Sequence, residues 1–480
     1  MTRLKCLGLG LVAGLTACTW GTEYQPKTLG LANHWQATRG QLLAVEAVEP
    51  APLAAWWHAL GDPALDRLMR EALAGNLDLA VATTRIDQAR AYVRGNRAEQ
   101  FPQIGAEAGG QRQSNPFPGF APGISYNLFQ LGFDAVWELD LFGRQQRRYE
   151  AAAADLDAAR EAYAEARLTL SADIARAYTG FLSQRAQWIL TEESLAAERE
   201  AVRMTERLYE EGVAPRQDVI QAKTLCEVVE AQLPVLEAEQ TAQLRQLELL
   251  SGKSPGTLLM AESAANPIAE WDDRLPGKAI LDSPVTRIRL RPDVRAAERR
   301  FAAASALKGA ALAEWFPKVS LSAFLGLRNT DLDTVFQSAA FSYGTAASLL
   351  QPLFNAGRIQ AGIDLADARQ REASLIYEQT VLESVQETET AITRFLAAVR
   401  HQYTLKQATN DRRETLHIME RQAEEGLISQ LELMDGRRSL HQTEMDWLKS
   451  RVITRIHLIS IYKTLGGGTM PESAATAETS

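Results

Sequence analysis

Cysteine is nearly missing from this chain. There are three in 480 residues, with Cys6 and Cys18 in the first eighteen positions and Cys226 far downstream. That excludes a disulfide framework and a thiolate-rich zinc site, and leaves Cys226 as a small core-type side chain on an expected helix. Histidine is equally sparse, and His34, His58, His401, His417, His441 and His457 fall at no metal-ligand spacing. No phosphate-cradling glycine loop, His-Glu-x-x-His or Gly-x-Ser-x-Gly elbow occurs, so no catalytic residue, metal or cofactor is expected. A basic excess is lacking too: the formal net charge is −9, which speaks against nucleic acid or an anionic membrane surface as a partner. Beyond the N-terminus there is no run of 18 apolar residues, so a mature chain that spans a membrane does so with strands.

What the N-terminus does have is an export signal. Arg3 and Lys5 precede an apolar run from Leu7 to Leu15, and Leu15-Thr16-Ala17-Cys18 closes it as a lipoprotein box does. The run is too short to span a bilayer as a helix, so residues 1–17 are expected to be removed and Cys18 to become the lipidated first residue. Loss of Arg3 and Lys5 then takes the charge from −9 to −11. Thr19 follows Cys18; the absence of an aspartate there favours the outer membrane over the inner.

The rest of the chain is written twice. Asn76-Leu77-Asp78-Leu79 opens a helical stretch reaching Phe101-Pro102, and Arg291-Pro292-Asp293-Val294 opens one reaching Phe316-Pro317. Further landmarks recur in order: Phe142-Gly143-Arg144 with Phe354 and Gly357-Arg358, Glu211-Gly212 with Glu425-Gly426, and Leu250-Ser251-Gly252 with Thr464-Leu465-Gly466. A period this long is far beyond a solenoid repeat and marks duplication of a whole folding unit. Each copy holds a long helical pattern. From Arg144 to Glu211 there is no proline and only Gly180 interrupts, which predicts a helix ~100 Å long at about 1.5 Å per residue. Ile174, Phe181, Trp188, Leu195, Val202 and Tyr209 recur every seven residues as a seam. In the second copy Leu382, Val385, Ile392, Leu396, Val399 and Tyr403 take that place, with Glu378 and Glu389 as polar intrusions. Gly212 and Gly426 end these helices, return helices run to about Leu250 and Leu465, and Pro234 is expected to kink the first of them.

Between the shorter and the longer helix of each copy the period changes to two. Phe129, Leu131, Phe133, Ala135, Trp137, Leu139 and Leu141 alternate with mostly polar residues, as do Val319, Leu321, Ala323, Leu325 and Leu327. Phe341, Tyr343, Thr345, Ala347 and Leu349 repeat the pattern, and Ile104, Ala106 and Ala108 do so weakly. Alternating segments of about ten residues mark a transmembrane β-barrel, or equally a soluble sheet packed on helices. Four strands cannot close a barrel alone, since single-chain barrels start at about eight, so spanning strands require several chains.

Together these residues resemble the TolC-type outer-membrane efflux proteins, and the lipobox places the chain near their OprM-like lipoprotein branch. The most specific elements are Trp137-Glu138-Leu139-Asp140-Leu141-Phe142-Gly143-Arg144, Arg291-Pro292-Asp293, the glycine tips with Asp218-Val219, and Leu465-Gly466-Gly467-Gly468. The resemblance implies a mainly α fold with membrane β, in two tandem helix–strand–strand–helix units. Three chains would form one twelve-stranded β-barrel continuous with a long periplasmic α-helical barrel. It implies a homotrimer in outer-membrane lipid, meeting a periplasmic adaptor at Gly212, Val213, Gly426 and Leu427, served by an inner-membrane pump, and binding no nucleic acid. The channel aperture falls on Leu431, Glu432 and Asp435, with Asp218 as a gate partner. Ala423 and Ile428 stand where the family often has tyrosine and arginine, which weakens the case for a polar lock of that kind. Repeated around a pore, the carboxylates would form a like-charged ring that favours cations and raises its own pKa.

The organisation expected is a signal at 1–17, a lipidated segment at 18–60, a first repeat at 61–252, a linker at 253–285, a second repeat at 286–466 and a flexible tail at 467–480. Strands are expected at about 102–113, 124–141, 317–328 and 341–353, tips near 212 and 426, and a belt formed by residues 19–60, 253–285 and 466–480. An adaptor lipoprotein would instead carry one hairpin between compact β-domains, and a cell-wall enzyme would need a convergent acid–base or metal site; neither pattern is visible.

Overall fold

The computed structural model describes residues 24, 30–32, 34–38, 53–114, 125–258, 268, 271 and 284–466. The lipobox with Cys18, the loop at Asn115 to Gly119 and the tail at 467–480 lie outside them. The helices are α1 (Pro63–Gly75), α2 (Leu77–Ala98), α3 (Arg144–Glu210), α4 (Arg216–Glu230), α5 (Leu233–Leu250), α6 (Pro284–Leu290), α7 (Pro292–Leu312), α8 (Arg358–Glu424) and α9 (Gln430–Thr464). The strands are β1 (Gln103–Ser114), β2 (Ser125–Leu139), β3 (Lys318–Asn329) and β4 (Phe341–Leu350).

Both long helices have 67 residues, α3 and α8. Each starts after a glycine at positive φ, Gly143 or Gly357. A side chain from the preceding turn meets a free first-turn N–H: Asp140 accepts from Gln146 N at 2.7 Å, and Asn355 from Ile359 N at 3.4 Å. Gly180 does not interrupt α3. A Cβ there would meet Gln243 Oε1 of α5 at 2.8 Å, so the missing side chain makes room for the return helix. Pro234 does more than kink. It sits in the first turn of α5, and the return path breaks at Ala231 and Gln232 into two helices, because proline supplies no N–H and crowds the preceding turn. In the second copy, without that proline, α9 is continuous over 35 residues.

The chain divides into two compact units. One takes in residues 84–160 and 296–378 with Tyr24, and holds the sheet and the adjoining parts of the helices. The sheet has the order β1-β2-β3-β4, antiparallel throughout, so the two repeats meet in its central pair. β2 and β4 end at Leu139 and Leu350, short of the expected 141 and 353; Pro352 has no N–H for a ladder. Helices α3 and α7 pack through small residues, Ala151 and Ala154 against Ala303 and Ala306.

The other unit takes in residues 29–83, 161–295 and 379–480. Here α1 is capped by Asp62, whose Oδ1 accepts from Ala64 N and Leu65 N, and it buries Leu65, Leu68, Met69 and Ala72 at helical spacing. Trp56 is fully enclosed, stacked on Tyr462 at 5.1 Å and donating Nε1–H to Ser171 Oγ at 3.2 Å. Ile268 inserts among Ala186, Leu448 and Val452. The α3 seam is buried at Ile174, Phe181 and Leu195, half-buried at Trp188 and Val202, and open at Tyr209. The second seam departs from the expected stripe. Leu382 and Tyr403 are exposed, and the buried line runs through Val381, Ser384, Thr388, Ile392, Phe395 and Leu396. Core threonine and serine hydroxyls bond to the carbonyl four residues back, as Thr388 Oγ1 does to Ser384 O, so they pass as core residues that an apolar count overlooks. Glu389, an intrusion in the expected seam, accepts from Gln36 N at 2.7 Å and Ala37 N at 2.9 Å and so fixes the N-terminal segment.

Candidate functional site

The duplication is close enough to be read in single hydrogen bonds. Trp137 Nε1–H donates to Gln100 O at 2.9 Å. In the second copy Gln351 takes the place of Trp137 and Trp315 that of Gln100, and Gln351 Nε2–H donates to Trp315 O at 3.1 Å. Asn76 Nδ2–H donates to Leu250 O at 2.8 Å, and Arg291 Nη1–H donates to Thr464 O at 3.0 Å. The strand hairpins share one register: Gln103↔Val136 in the first becomes Lys318↔Leu350 in the second. Different residue types perform the same closure in each copy, so the backbone arrangement has been kept while the side chains diverged.

The sheet has two chemically distinct faces. One presents Ile104, Phe133, Leu325, Tyr343 and Leu349, all exposed. Such a band is large for a surface facing water, and strand alternation puts every member on one side. Among the described residues no helix is long and apolar enough to cross a membrane. The other face carries Glu107, Gln130, Asp134, Ser320, Ser322, Arg328 and Ser348. On this face Phe324 has its ring end over the facing pair Gly132 and Gly326, where a Cβ on either would meet it at 2.9 Å. Arg328 covers the ring at 4.4 Å and donates to Gln130 Oε1 at 3.3 Å, while Gln130 donates to Glu107. A polar band therefore crosses three strands.

At the foot of the sheet Arg144 bridges Glu138 of the polar face and Glu314, and Glu314 also holds Lys318 at 3.0 Å. Phe142 stacks on Phe316 at 4.8 Å.

The hairpin tips are closed by identical turns. Val213 N–H donates to Leu208 O at 2.8 Å with Gly212 at φ 75°, and Leu427 N–H donates to Gln422 O at 2.8 Å with Gly426 at φ 73°. This is the Schellman arrangement, which needs a left-handed residue after the helix. Val213, Leu427 and Leu431 are exposed. Restarting the chain is done differently in the two copies. Pro215 precedes α4 with no side-chain cap, whereas Ser429 and Glu432 form a reciprocal capping box on α9. Glu432 accepts from Ser429 N at 2.8 Å, and bonds from the Ser429 N–H and hydroxyl hold its carboxyl below the usual carboxylate range. Within one chain this opposes the upward shift expected of a like-charged ring. Asp218, its counterpart in the first copy, lies half-buried in the first turn of α4. Asp435 pairs with Arg438 at 2.7 Å, and Arg438 pairs in turn with the buried Glu198 of α3 at 3.0 Å. Sequence reading missed Arg438 and Glu198. The Asp435–Arg438 spacing of three is a visible helical pair, but nothing local marks Glu198 as its partner. At the departure positions, Ala423 gives only its carbonyl to Gly426 N–H, and Ile428 is half-buried.

Residues 68–253 and 287–467 match the sequence profile described as outer membrane efflux protein. The chain belongs to that family. The solvent efflux pump outer membrane protein SrpC of Pseudomonas putida is 29% identical over 97% of this chain and 98% of that protein. The cation efflux system protein CusC of Escherichia coli is 28% identical over 98% of this chain and 100% of its own. Among solved structures, the outer-membrane channel OprN superposes with a TM-score of 0.84 at 29% identity, covering 94% of this chain and 99% of that one. As a member of the outer membrane efflux protein family, the chain is an outer-membrane channel component of an efflux system, and its larger part is periplasmic. The two matched segments correspond to the two repeats.

Proposed function

We propose that three copies of this chain form one passive duct. Solute driven by an inner-membrane pump, of the RND type or a related one, enters through a periplasmic adaptor seated on the tips around Gly212, Val213, Gly426 and Leu427. It passes an aperture at Leu431, Glu432 and Asp435, with Asp218 beside it, and leaves through a shared barrel whose apolar face meets lipid. Cys18 carries the lipid anchor. No chemistry takes place on the solute.

The observation that carries this is the pair of unpaired edges, β1 and β4, on a sheet built from two equivalent hairpins. Unsatisfied edges cannot stand in hydrocarbon. The equivalence supports a second copy as their cover, because the β2–β3 junction within the chain is a template for β4 against the β1 of a partner. Ala135↔Ala323 then becomes Leu349 opposite the partner's Ala108. Residue spacing tests that register independently. Apolar-face residues are odd-numbered on β4 and even-numbered on β1, and only a register of this parity keeps both on one face. Likewise the Arg144–Glu314 pair becomes Arg358 beside the partner's Glu99, both exposed in the single chain.

Cysteines at Ala108 and Leu349 should therefore give a covalent trimer ladder on oxidation, while Gly109 with Leu349, on opposite faces, should not. Equal yields from both pairs would remove the register. The same chemistry at Val213 or Leu427 should capture the adaptor.

A further inference from the structure

The helical wall below the sheet carries charge of the opposite sign to the chain as a whole, and it carries it around a groove. A cavity of about 430 Å³ runs over α7 between α3 and α8. Its floor is Ala304, Leu307 and Leu365, and both leucines are exposed. Around it stand Arg148, Arg300, Arg369, Asp155 and Glu314. At one end of the groove Glu314 binds Lys318 and Arg144, which link it to the polar sheet face. Tyr24 packs on Phe301 and bonds to Glu298, which at 3.6 residues per turn lie outside the face of α7 formed by 300, 304, 307 and 311.

The duplication extends the pattern. In the alignment of the two copies Arg300 of α7 corresponds to Arg85 of α2, and Arg369 of α8 to Asp155 of α3. At one level of the wall the four helices of a chain thus present three arginines and one aspartate. Among the described residues Arg85, Arg300 and Arg369 have no carboxylate within ion-pair distance. Burial raises the pKa of Asp155, and the nearby Arg300 opposes that rise.

We propose that this groove is a way station for anionic amphipathic solutes, small molecules with an apolar body and a sulfonate, carboxylate or phosphate group. Two leucines and an alanine floor take the body, and unpaired guanidiniums of Arg300 and Arg369 take the anion as paired donors. A volume of about 430 Å³ suits one ligand of drug-like size. The proposal deepens the duct reading and rests on it, because only a duct delivers solute to this face.

The test uses whole trimers in lipid nanodiscs and 4-(trifluoromethyl)benzenesulfonate, followed by fluorine NMR line broadening. Wild type should broaden the line saturably, and the trimethylammonium analogue should not. Arg300→Gln with Arg369→Gln should weaken binding about tenfold or more. Asp155→Asn should strengthen it, a gain that misfolding cannot imitate. No broadening by wild type, equal broadening by the cation, or unchanged affinity in the double variant would each overturn the site. Ion conductance of the same trimers in planar bilayers reads the duct reading separately.

Discussion

Arg438 shows how much one side chain can decide. Its guanidinium joins Asp435 near the second tip to Glu198, which is 7% exposed at its side chain, and so ties the returning helix of the second hairpin to the long helix of the first. Removing one partner of a buried pair leaves the other charge without compensation, which costs roughly 3–5 kcal/mol when both are enclosed and less here, because Arg438 is partly exposed. Arg438→Ala is therefore expected to destabilise by about 2 kcal/mol, and the added change Glu198→Gln to restore part of it. If the pair also restrains the aperture, Arg438→Ala and Asp435→Asn should both raise single-channel conductance in planar bilayers. Unchanged conductance in both would take Asp435 out of the gate. Glu432 is a different case: its carboxylate caps a helix, so its contribution is present above the ordinary carboxylate range and is lost as pH falls through its lowered pKa. What made Leu431, Glu432 and Asp435 nameable from sequence was spacing from Gly426 under a family resemblance. The capping box was written locally as Ser429-x-x-Glu432 and was passed over, whereas the Glu198 partner came only with coordinates, because a pairing between helices of the two different repeats leaves no periodic trace.

At the scale of elements, alternation and glycine placement were the readable signals. β2 and β3 alternate over most of their length and were legible, while β1, with Gly105, Gly109 and Gly110, has little apolar contrast and was legible mainly as the counterpart of β3. The α3 seam was legible up to Leu195, where the helix packs in a core. The α8 seam was read rightly at Ile392 and Leu396 and missed at Ser384, Thr388 and Ala391, because hydroxyls and alanines fill part of it. Two glycines separate backbone need from packing need. Gly212 has positive φ and open space around it, so Gly212→Ala should cost about 1 kcal/mol through left-handed strain alone. Gly180 sits mid-helix against the flexible end of Gln243, so Gly180→Ala should be near neutral once Gln243 moves, the clash offsetting a helix-propensity gain of similar size. Heat-induced loss of helical signal in the two variants separates these cases, and an equal loss would show that the tip turn is not strained.

For the whole molecule the duplication was the most legible property, and its one-residue irregularity the least. Landmark offsets that differ by a single position look like noise in the sequence. In the sheet they are the same register twice, and at the chain's edges they fix which residues of a partner are met. In the proposed assembly such a chain would be held at the membrane in two ways, by strands and by the lipid expected on Cys18 from Leu15-Thr16-Ala17-Cys18. Cys18→Ala should therefore abolish labelling by radioactive palmitate, while the Ala108 and Leu349 cross-link still forms in whatever fraction reaches the membrane. Persistent labelling would exclude Cys18 as the anchor.

The central strand pair has a consequence for how the protein is made. β2 and β3 pair residues such as Phe129 and Asn329, so the sheet cannot assemble until most of the chain has been exported. Of the two long helices, α3 precedes β3 in the chain and can begin to form before the sheet, whereas α8 follows β4. During that interval hairpins with apolar faces and open edges are free to pair wrongly, with each other or with another chain's. The order of synthesis therefore leaves the first hairpin with an open edge until β3 arrives, and the final register is chosen late, by neighbours as much as by the chain itself.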